Sequence, residues 1–199
     1  MGAAVAAREQ DLGLARRAAG GERVAQRELF QAHRANVHHT LFRILGSNRD
    51  LEDLVQDAFL EIFRALPSFR GDSTLARWCQ TIATRTAYLA ISRRKPPAID
   101  LALVEDELPD GADTRRHVQV REAARRLYAA LDRIEARQRI AFALAVIDGC
   151  SLADVAQLTD ASIVAVKTRV WRARRELMKR AAKDDVLASY LEELGGRDA

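Results

Sequence analysis

Proline and cysteine are scarce in this chain, with four prolines and two cysteines in 199 residues. Three of the prolines, Pro96, Pro97 and Pro109, fall in one stretch, so little elsewhere interrupts helix formation. Strand-like alternation is almost absent as well, and the expected fold class is all-α. Cys79 and Cys150 sit among apolar neighbours with no CxxC or Cys/His cluster around them. That reads as buried reduced thiols and gives no sign of an oxidising compartment. The longest uncharged apolar run, Ile140 to Ile147, is far short of a membrane span, and the first residues hold no signal-length apolar core. A cytoplasmic protein without membrane insertion is expected. No Gly-rich phosphate loop, HExxH, GxSxG or Cys/His nucleophile pair occurs, so neither catalysis nor a cofactor has support. His33, His38 and His39 share one helix at a spacing that does not gather three nitrogens, and no metal site is expected.

What the chain does hold is 48% hydrophobic and 30% charged residues, with a net charge of +4 and a pI near 9.4. This balance permits nucleic-acid binding without demanding it, and the charge is informative where it is local. The organising stretch is Asp50 to Lys95. Leu51, Leu54, Val55, Ala58, Phe59, Ile62, Phe63 and Leu66 recur at steps of three and four and predict one apolar stripe of a helix. Glu52, Asp53, Gln56, Asp57 and Glu61 make the opposite face acidic. Pro67 ends that helix, residues 68–73 form a loop, and a second helix follows with Ser73 as its expected N-cap. Its buried stripe is read as Leu75, Trp78, Cys79, Ile82, Thr86 and Leu89, and it closes in Arg93-Arg94-Lys95. An acidic helix beside a basic, aromatic one suggests two partners on neighbouring surfaces, a basic protein groove and nucleic acid.

Ahead of this pair, Asp11 to Ala19 reads as a short helix after a frayed start. Glu22 to Leu45 reads as a longer one, with Val24, Leu29, Phe30, Val37, Leu41, Ile44 and Leu45 on its apolar face. After it, residues 96–116 are acidic and proline-rich and read as a flexible linker, with a transient turn around Leu101 to Val104. Extended, about 20 residues reach roughly 70 Å. Helices are then expected over Val118 to Ile134 and Arg137 to Asp148, with Gly149 as the stop. Domain boundaries follow at 1–95, 96–116 and 117–183, with an amphipathic tail at 184–199.

Residues 151–175, SLADVAQLTDASIVAVKTRVWRARR, have the plan of a helix-turn-helix: a short helix capped by Ser151, a tight turn, and a long helix capped by Ser162. Val155, Ala156, Ile163, Val166 and Val170 are its expected inner face. From Ser162 to Lys183 eight basic residues stand against one Glu, which together with the motif points to duplex DNA. If about five of them neutralise phosphates, log K falls with log salt at a slope near −4 to −5. In the first module, Phe69, Trp78 and Tyr88 lie among Arg70, Arg77, Arg85, Arg93 and Arg94. Interleaved rings and guanidinium groups suit a single strand, where bases stack and phosphates pair. Against these readings, Trp78 on the apolar stripe is more often core, Trp171 also reads as packed on the preceding helices, and charge alone favours a solvated face for the acidic residues.

The run DLEDLVQDAFLEIFRALPSFRGDSTLARWCQTIA resembles region 2 of the extracytoplasmic-function sigma factors, the small promoter-recognition subunits of bacterial RNA polymerase. Residues 151–175 resemble their region 4, so the resemblance covers most of the chain. It implies a two-domain adaptor that binds core RNA polymerase and promoter DNA, with an anti-sigma factor as a further partner. By the same resemblance, Asp53, Gln56, Asp57 and Glu61 dock on the largest polymerase subunit. Phe69, Arg70, Trp78, Arg85, Tyr88, Arg93 and Arg94 capture the melted minus-ten element, the loop holding an unstacked base. Lys167, Thr168, Arg169, Trp171, Arg172 and Arg174 read the minus-thirty-five element in the major groove. Two departures stand out: Arg85 where many relatives carry Asn, and Val164-Ala165 where Gly-Thr is common. The competing readings are a stand-alone helix-turn-helix regulator and, without a catalytic constellation behind it, a helical enzyme.

Overall fold

The computed structural model describes residues 2–47, 50–93 and 114–195, and side chains within 6–47, 50–93 and 118–194. Among the described residues every regular element is helical. The first module is α1 (Gly2–Ala19), α2 (Arg23–Leu45), α3 (Leu51–Ala65), a 3-10 turn (Leu66–Ser68) and α4 (Leu75–Arg93). The second is α5 (Thr114–Leu131), α6 (Ala136–Phe142), a π-helical turn (Ala143–Ile147), α7 (Leu152–Leu158), α8 (Ile163–Ala181) and α9 (Asp185–Gly195). The linker segment and its expected turn at Leu101 to Val104 lie outside the described residues, except that α5 already starts at Thr114.

Two elements differ from expectation in length. Helix α1 starts at Gly2, because the run Ala3 to Ala7 has high helix propensity and Ala15 and Ala18 are buried at 2% exposure. The helix expected to run to Asp148 instead widens into the π turn. Asp148 N–H donates to Ala143 O at 2.9 Å and Cys150 N–H to Leu144 O at 2.9 Å, around Gly149 at φ +70°.

Three apolar residues expected inside are exposed. On α2 the buried stripe runs Ala25, Leu29, Val37, Leu41, which leaves Val24 about a quarter-turn off it. On α4 the stripe follows Cys79, Ala83 and Ala87, whose small side chains admit close neighbours, and Leu89 falls outside it. Ile163, the first residue of α8, projects from the helix start. Phe30 of α2 packs on Phe59 of α3 with ring centroids 4.6 Å apart, and Leu41, Ile44, Leu51, Ile62 and Leu75 fill the rest of that core. The second module packs Leu127, Leu131, Phe142 and Leu177, and α9 closes it with Leu187 and Leu194. Asp184 fixes that closure: it accepts from Leu187 N–H at 3.1 Å and pairs with Arg126 of α5 at 2.9 Å. The C-terminal tail is therefore part of the second module's core.

The modules pack against each other. One cluster of buried apolar residues takes in Ile44 and Ala83 of the first and Ile140, Leu144, Val155 and Ala156 of the second. Helix α4 lies against α6 and α7, and the C-terminus of α2 is a second point of attachment. A helix leaves its last four carbonyls without partners inside the helix. Here the Phe42 carbonyl accepts from Gly46 N–H at 2.7 Å, Arg43 O accepts from the Tyr128 hydroxyl at 2.8 Å, and Ile44 O and Leu45 O accept from the Arg139 guanidinium at 3.0 and 2.9 Å. Arg139 is only 2% exposed and is neutralised by Asp132. Gly46, at φ +66°, lies under the Tyr128 ring, and a Cβ there would run into it. Burial holds the Tyr128 phenol above its ordinary range.

Candidate nucleic-acid interface

Helix α8 begins as its sequence demands. The Ser162 hydroxyl accepts from Ala165 N–H at 3.1 Å, and Ser151 accepts from Asp154 N–H at 3.1 Å at the start of α7. Between them Asp160 takes the left-handed conformation at φ +49°, and Ala161 N–H closes the turn on Ala156 O at 2.9 Å. Val155, Val166 and Ala173 are buried on the inner side. Opposite them, Lys167, Thr168, Trp171, Arg172 and Arg175 are exposed on one outward strip. Trp171 is 58% exposed with the Arg175 guanidinium 5.5 Å from its ring centre, so it does not pack on the preceding helices. Arg169 is half-buried. Arg174 turns away from the strip and lines a cleft with Phe142, Val146, Met178, Leu191 and Leu194 beside α9.

The loop before α4 is built around Gly71 at φ +71°, and Phe69 within it packs on Trp78 with centroids 5.4 Å apart. Trp78 is thus half-buried, one face on the loop, which lies between the core and solvent readings. Arg70, Arg85 and Arg93 are exposed, and Arg94 lies outside the described residues. Tyr88 is half-buried, with the Arg137 guanidinium of α6 placed 5.7 Å from its ring centre. Arg77 reaches across the module boundary to Asp154 at 2.6 Å. The Asp154 carboxyl is held below its usual range, first by the Ser151 hydroxyl and then by Arg77.

The N-cap of α4 is Thr74, whose hydroxyl accepts from Arg77 N–H at 3.2 Å, and not Ser73, whose hydroxyl donates to Thr74 O at 3.3 Å. Leu75 N–H is taken by a residue that the sequence pattern did not single out, Asp11 of α1, at 2.7 Å. No local signal marks an acceptor that sits 64 positions away.

On α3, Asp53, Gln56, Asp57 and Glu61 are exposed, as the alternation of faces requires, while Leu51, Val55, Ala58, Phe59 and Ile62 are buried. Leu60 lies on the acidic side at 47% exposure and was not anticipated. Glu61 carries Arg64 at 2.6 Å. Through the 3-10 turn this helix runs straight into the Phe69 loop, so one continuous segment holds the acidic face and the basic, aromatic one. Among the described residues no cluster of His, Cys, Asp and Glu could hold a metal, and no helix is long and apolar enough to cross a membrane.

Known families resemble this chain in both modules. The Sigma-70 region 2 family matches residues 29–96, and the Sigma-70, region 4 family matches residues 124–177. The ECF RNA polymerase sigma-E factor of Escherichia coli (strain K12) is 31% identical over 137 residues, spanning 64% of this chain and 72% of that protein. The sigma-E factor of Haemophilus influenzae is 29% identical over 173 residues, covering 82% of this chain and 91% of the relative. Among solved structures, CnrH in complex with the cytosolic domain of CnrY superposes with a TM-score of 0.59 at 23% identity, over 87% of this chain and 98% of that one. The sigma factor RpoE of Bartonella quintana, solved with the anti-sigma factor NepR, gives 0.52 at 22% identity, over 79% and 97%. The structural likeness carries the fold, and the two region matches in order, with a 31% identical relative spanned over most of its length, carry the lineage: this chain belongs to the extracytoplasmic-function RNA polymerase sigma factors.

Proposed function

We propose that this sigma factor, which directs promoter-specific initiation by core RNA polymerase, divides its binding among three surfaces. The outward face of α3 docks on the polymerase, with Asp53, Gln56, Asp57 and Glu61 giving charge complementarity around Leu60 as an apolar anchor. Helix α8 reads the minus-thirty-five duplex with Lys167, Thr168, Arg169, Trp171 and Arg172, while Arg174 approaches from the flank. The loop and α4, with Phe69, Arg70, Trp78, Arg85, Tyr88, Arg93 and Arg94, take the melted minus-ten strand. No bond is made or broken by the protein: its action is binding. We keep the boundaries 1–95 for the first module, 96–116 for the tether and 117–183 for the second module, with α5 reaching back to Thr114 and α9 of the 184–199 tail closing the second module's core. The work takes place in the cytoplasm, where polymerase and DNA meet. An anti-sigma factor, such as the one seated on Bartonella RpoE, is a partner of the same class.

One observation supports this division most directly: α8 buries Val166, Ala173 and Leu177 while its opposite side keeps Trp171 at 58% exposure among Lys167, Thr168 and Arg172. A single exposed ring is ordinary on a surface; what suits α8 to a duplex is its conjunction with Lys167, Thr168 and Arg172 on the outward strip of a helix-turn-helix. By contrast, Arg77 and Tyr88 of α4 are engaged by Asp154 and Arg137 of the second module. Full use of both DNA surfaces therefore requires the modules to separate.

The test is a pull-down of core polymerase by the wild-type chain and by an Asp53→Arg, Asp57→Arg double variant. Capture by the wild type and its loss in the variant, with duplex binding unchanged, is the expected result. Equal capture by both would sink α3 as the docking face.

A further inference from the structure

Helix α1 lies outside both family matches, and nothing in the three surfaces above gives it a role. Its contacts nevertheless converge on the loop and on the first turn of α4. Asp11 Oδ2 accepts the Leu75 N–H at 2.7 Å. Thr74 takes the Arg77 N–H at 3.2 Å, so two of the free donors at the start of α4 are satisfied, one from within and one by α1. The Asp11 carboxylate also places negative charge at the positive end of the α4 dipole. One residue on, Leu12 lies beneath Gly71: a Cβ there would stand 3.1 Å from the Leu12 side chain and 3.2 Å from Arg8 Nε. Gly71 is also at φ +71°, where other residues are strained. Arg8 and Asp72 approach to 3.9 Å, both exposed, a contact that adds little. Behind these residues, Ala15 and Ala18 seat α1 in the core at 2% exposure. The loop is thus held at Gly71 from below, at Leu75 from the side, and at Phe69 by Trp78.

We propose that Asp11 and Leu12 are positioning residues for strand capture: α1 sets the shape of the loop from Phe69 to Thr74, and with it the discrimination among bases held there. The proposal rests on the loop being the minus-ten surface. Asp11 touches no DNA; it acts through the α4 start. Loss of the acceptor for one helix-start N–H costs about 1 kcal/mol, roughly a fivefold change in an equilibrium. Base preference should change with it, because the loop no longer has a single presentation.

The experiment uses holoenzyme built from core polymerase and full-length chain. The probe is a labelled single-stranded DNA that wild-type holoenzyme selects from a randomised pool, together with its single-base variants. Asp11→Ala is expected to weaken the selected probe about fivefold and to flatten preference at one base position. Asp11→Asn, which keeps an acceptor oxygen, is expected to restore most of the preference. Ala18→Gly serves as a stability match in α1 away from the loop, and should lower the melting temperature while leaving base preference intact. If Ala18→Gly flattens the preference as Asp11→Ala does, α1 acts through stability alone and the proposal is overturned. A Phe69→Ala, Arg70→Ala variant separates the two ideas. Probe binding lost there but unchanged in Asp11→Ala overturns only the positioning role. Probe binding unchanged in both removes the loop reading and the proposal with it.

Discussion

Helices α4 and α8 are each 19 residues long, each is basic, and each is assigned to DNA, yet they are held in opposite ways. Helix α8 is self-sufficient: its cap is its own Ser162, its inner side faces its own module, and its outer strip is exposed. Helix α4 has its own cap in Thr74 but is held from outside as well. Its first turn borrows Asp11, its flank gives Arg77 to Asp154, and its Tyr88 lies under Arg137. The difference suits the division proposed between duplex and melted strand. Duplex DNA presents a regular groove that a preformed helix can enter. A melted strand exists only after opening, so a surface for it can stay partly engaged until then. What separates the helices physically is the seam sealed by Arg139 at the end of α2, and breaking that seam should make α4 behave like α8.

The largest expected effect is therefore from Arg139→Ala. It leaves the Ile44 and Leu45 carbonyls buried without donors, and the closed arrangement should lose roughly 2–5 kcal/mol. Small-angle scattering should show a larger radius of gyration than for the wild type, and single-strand binding by α4 should rise while duplex binding by α8 holds. Unchanged scattering would mean that the seam rests on the apolar cluster and not on the arginine. Next in size is a Lys167→Ala, Arg172→Ala variant, which strips two exposed cations from α8. If both meet phosphates, the salt slope of duplex affinity should shrink by about 2, with no change in single-strand binding. A loss in both assays would mean that the division between the helices is not as clean as their burial suggests.

Much of this was legible in the sequence, for reasons visible residue by residue. Helix periods and local caps are short-range: Ser151 and Ser162 cap as expected, and the acidic residues of α3 face outward because Leu51, Val55 and Ile62 face inward. The family motifs then set aside the regulator and the enzyme in favour of the sigma factor. Interactions between distant segments had no signature. Asp11 at Leu75, Tyr128 over Gly46 and Arg139 under Leu45 join positions 64, 82 and 94 apart, and no spacing rule connects them. The same blindness explains the smaller misses. Ser73 looked like the cap because it precedes the apolar run, whereas Thr74 is better aligned with Arg77 N–H. Leu89 followed a perfect helical stripe, yet α4 turns its Ala83 and Ala87 edge inward.

The smallest expected effect separates what α7 does for itself from what it does for α4. Asp154 is held below the usual carboxyl range first by Ser151, a contact within α7 that survives opening, and only then by Arg77, a contact that exists only when the modules are closed. A lowered carboxyl pKa stabilises the state that lowers it wherever the carboxyl is ionised, and that contribution disappears as pH falls through the lowered value. The Arg77 share should therefore be constant from neutral pH down to the ordinary aspartate range near 4 and vanish only below it. Because both residues are half-buried, with side chains 20% and 48% accessible, the pair's contribution is modest and salt-sensitive. Comparing the wild type with Asp154→Asn by scattering across pH 7 to 3 isolates it, since His39 and Asp148, which also face each other across the seam at 2.9 Å, are common to both proteins. The two curves should run a small, constant distance apart at neutral pH and merge in acid. A gap of the opposite sign at neutral pH, with the wild type the more open of the two, would show that the Asp154 charge opposes closure.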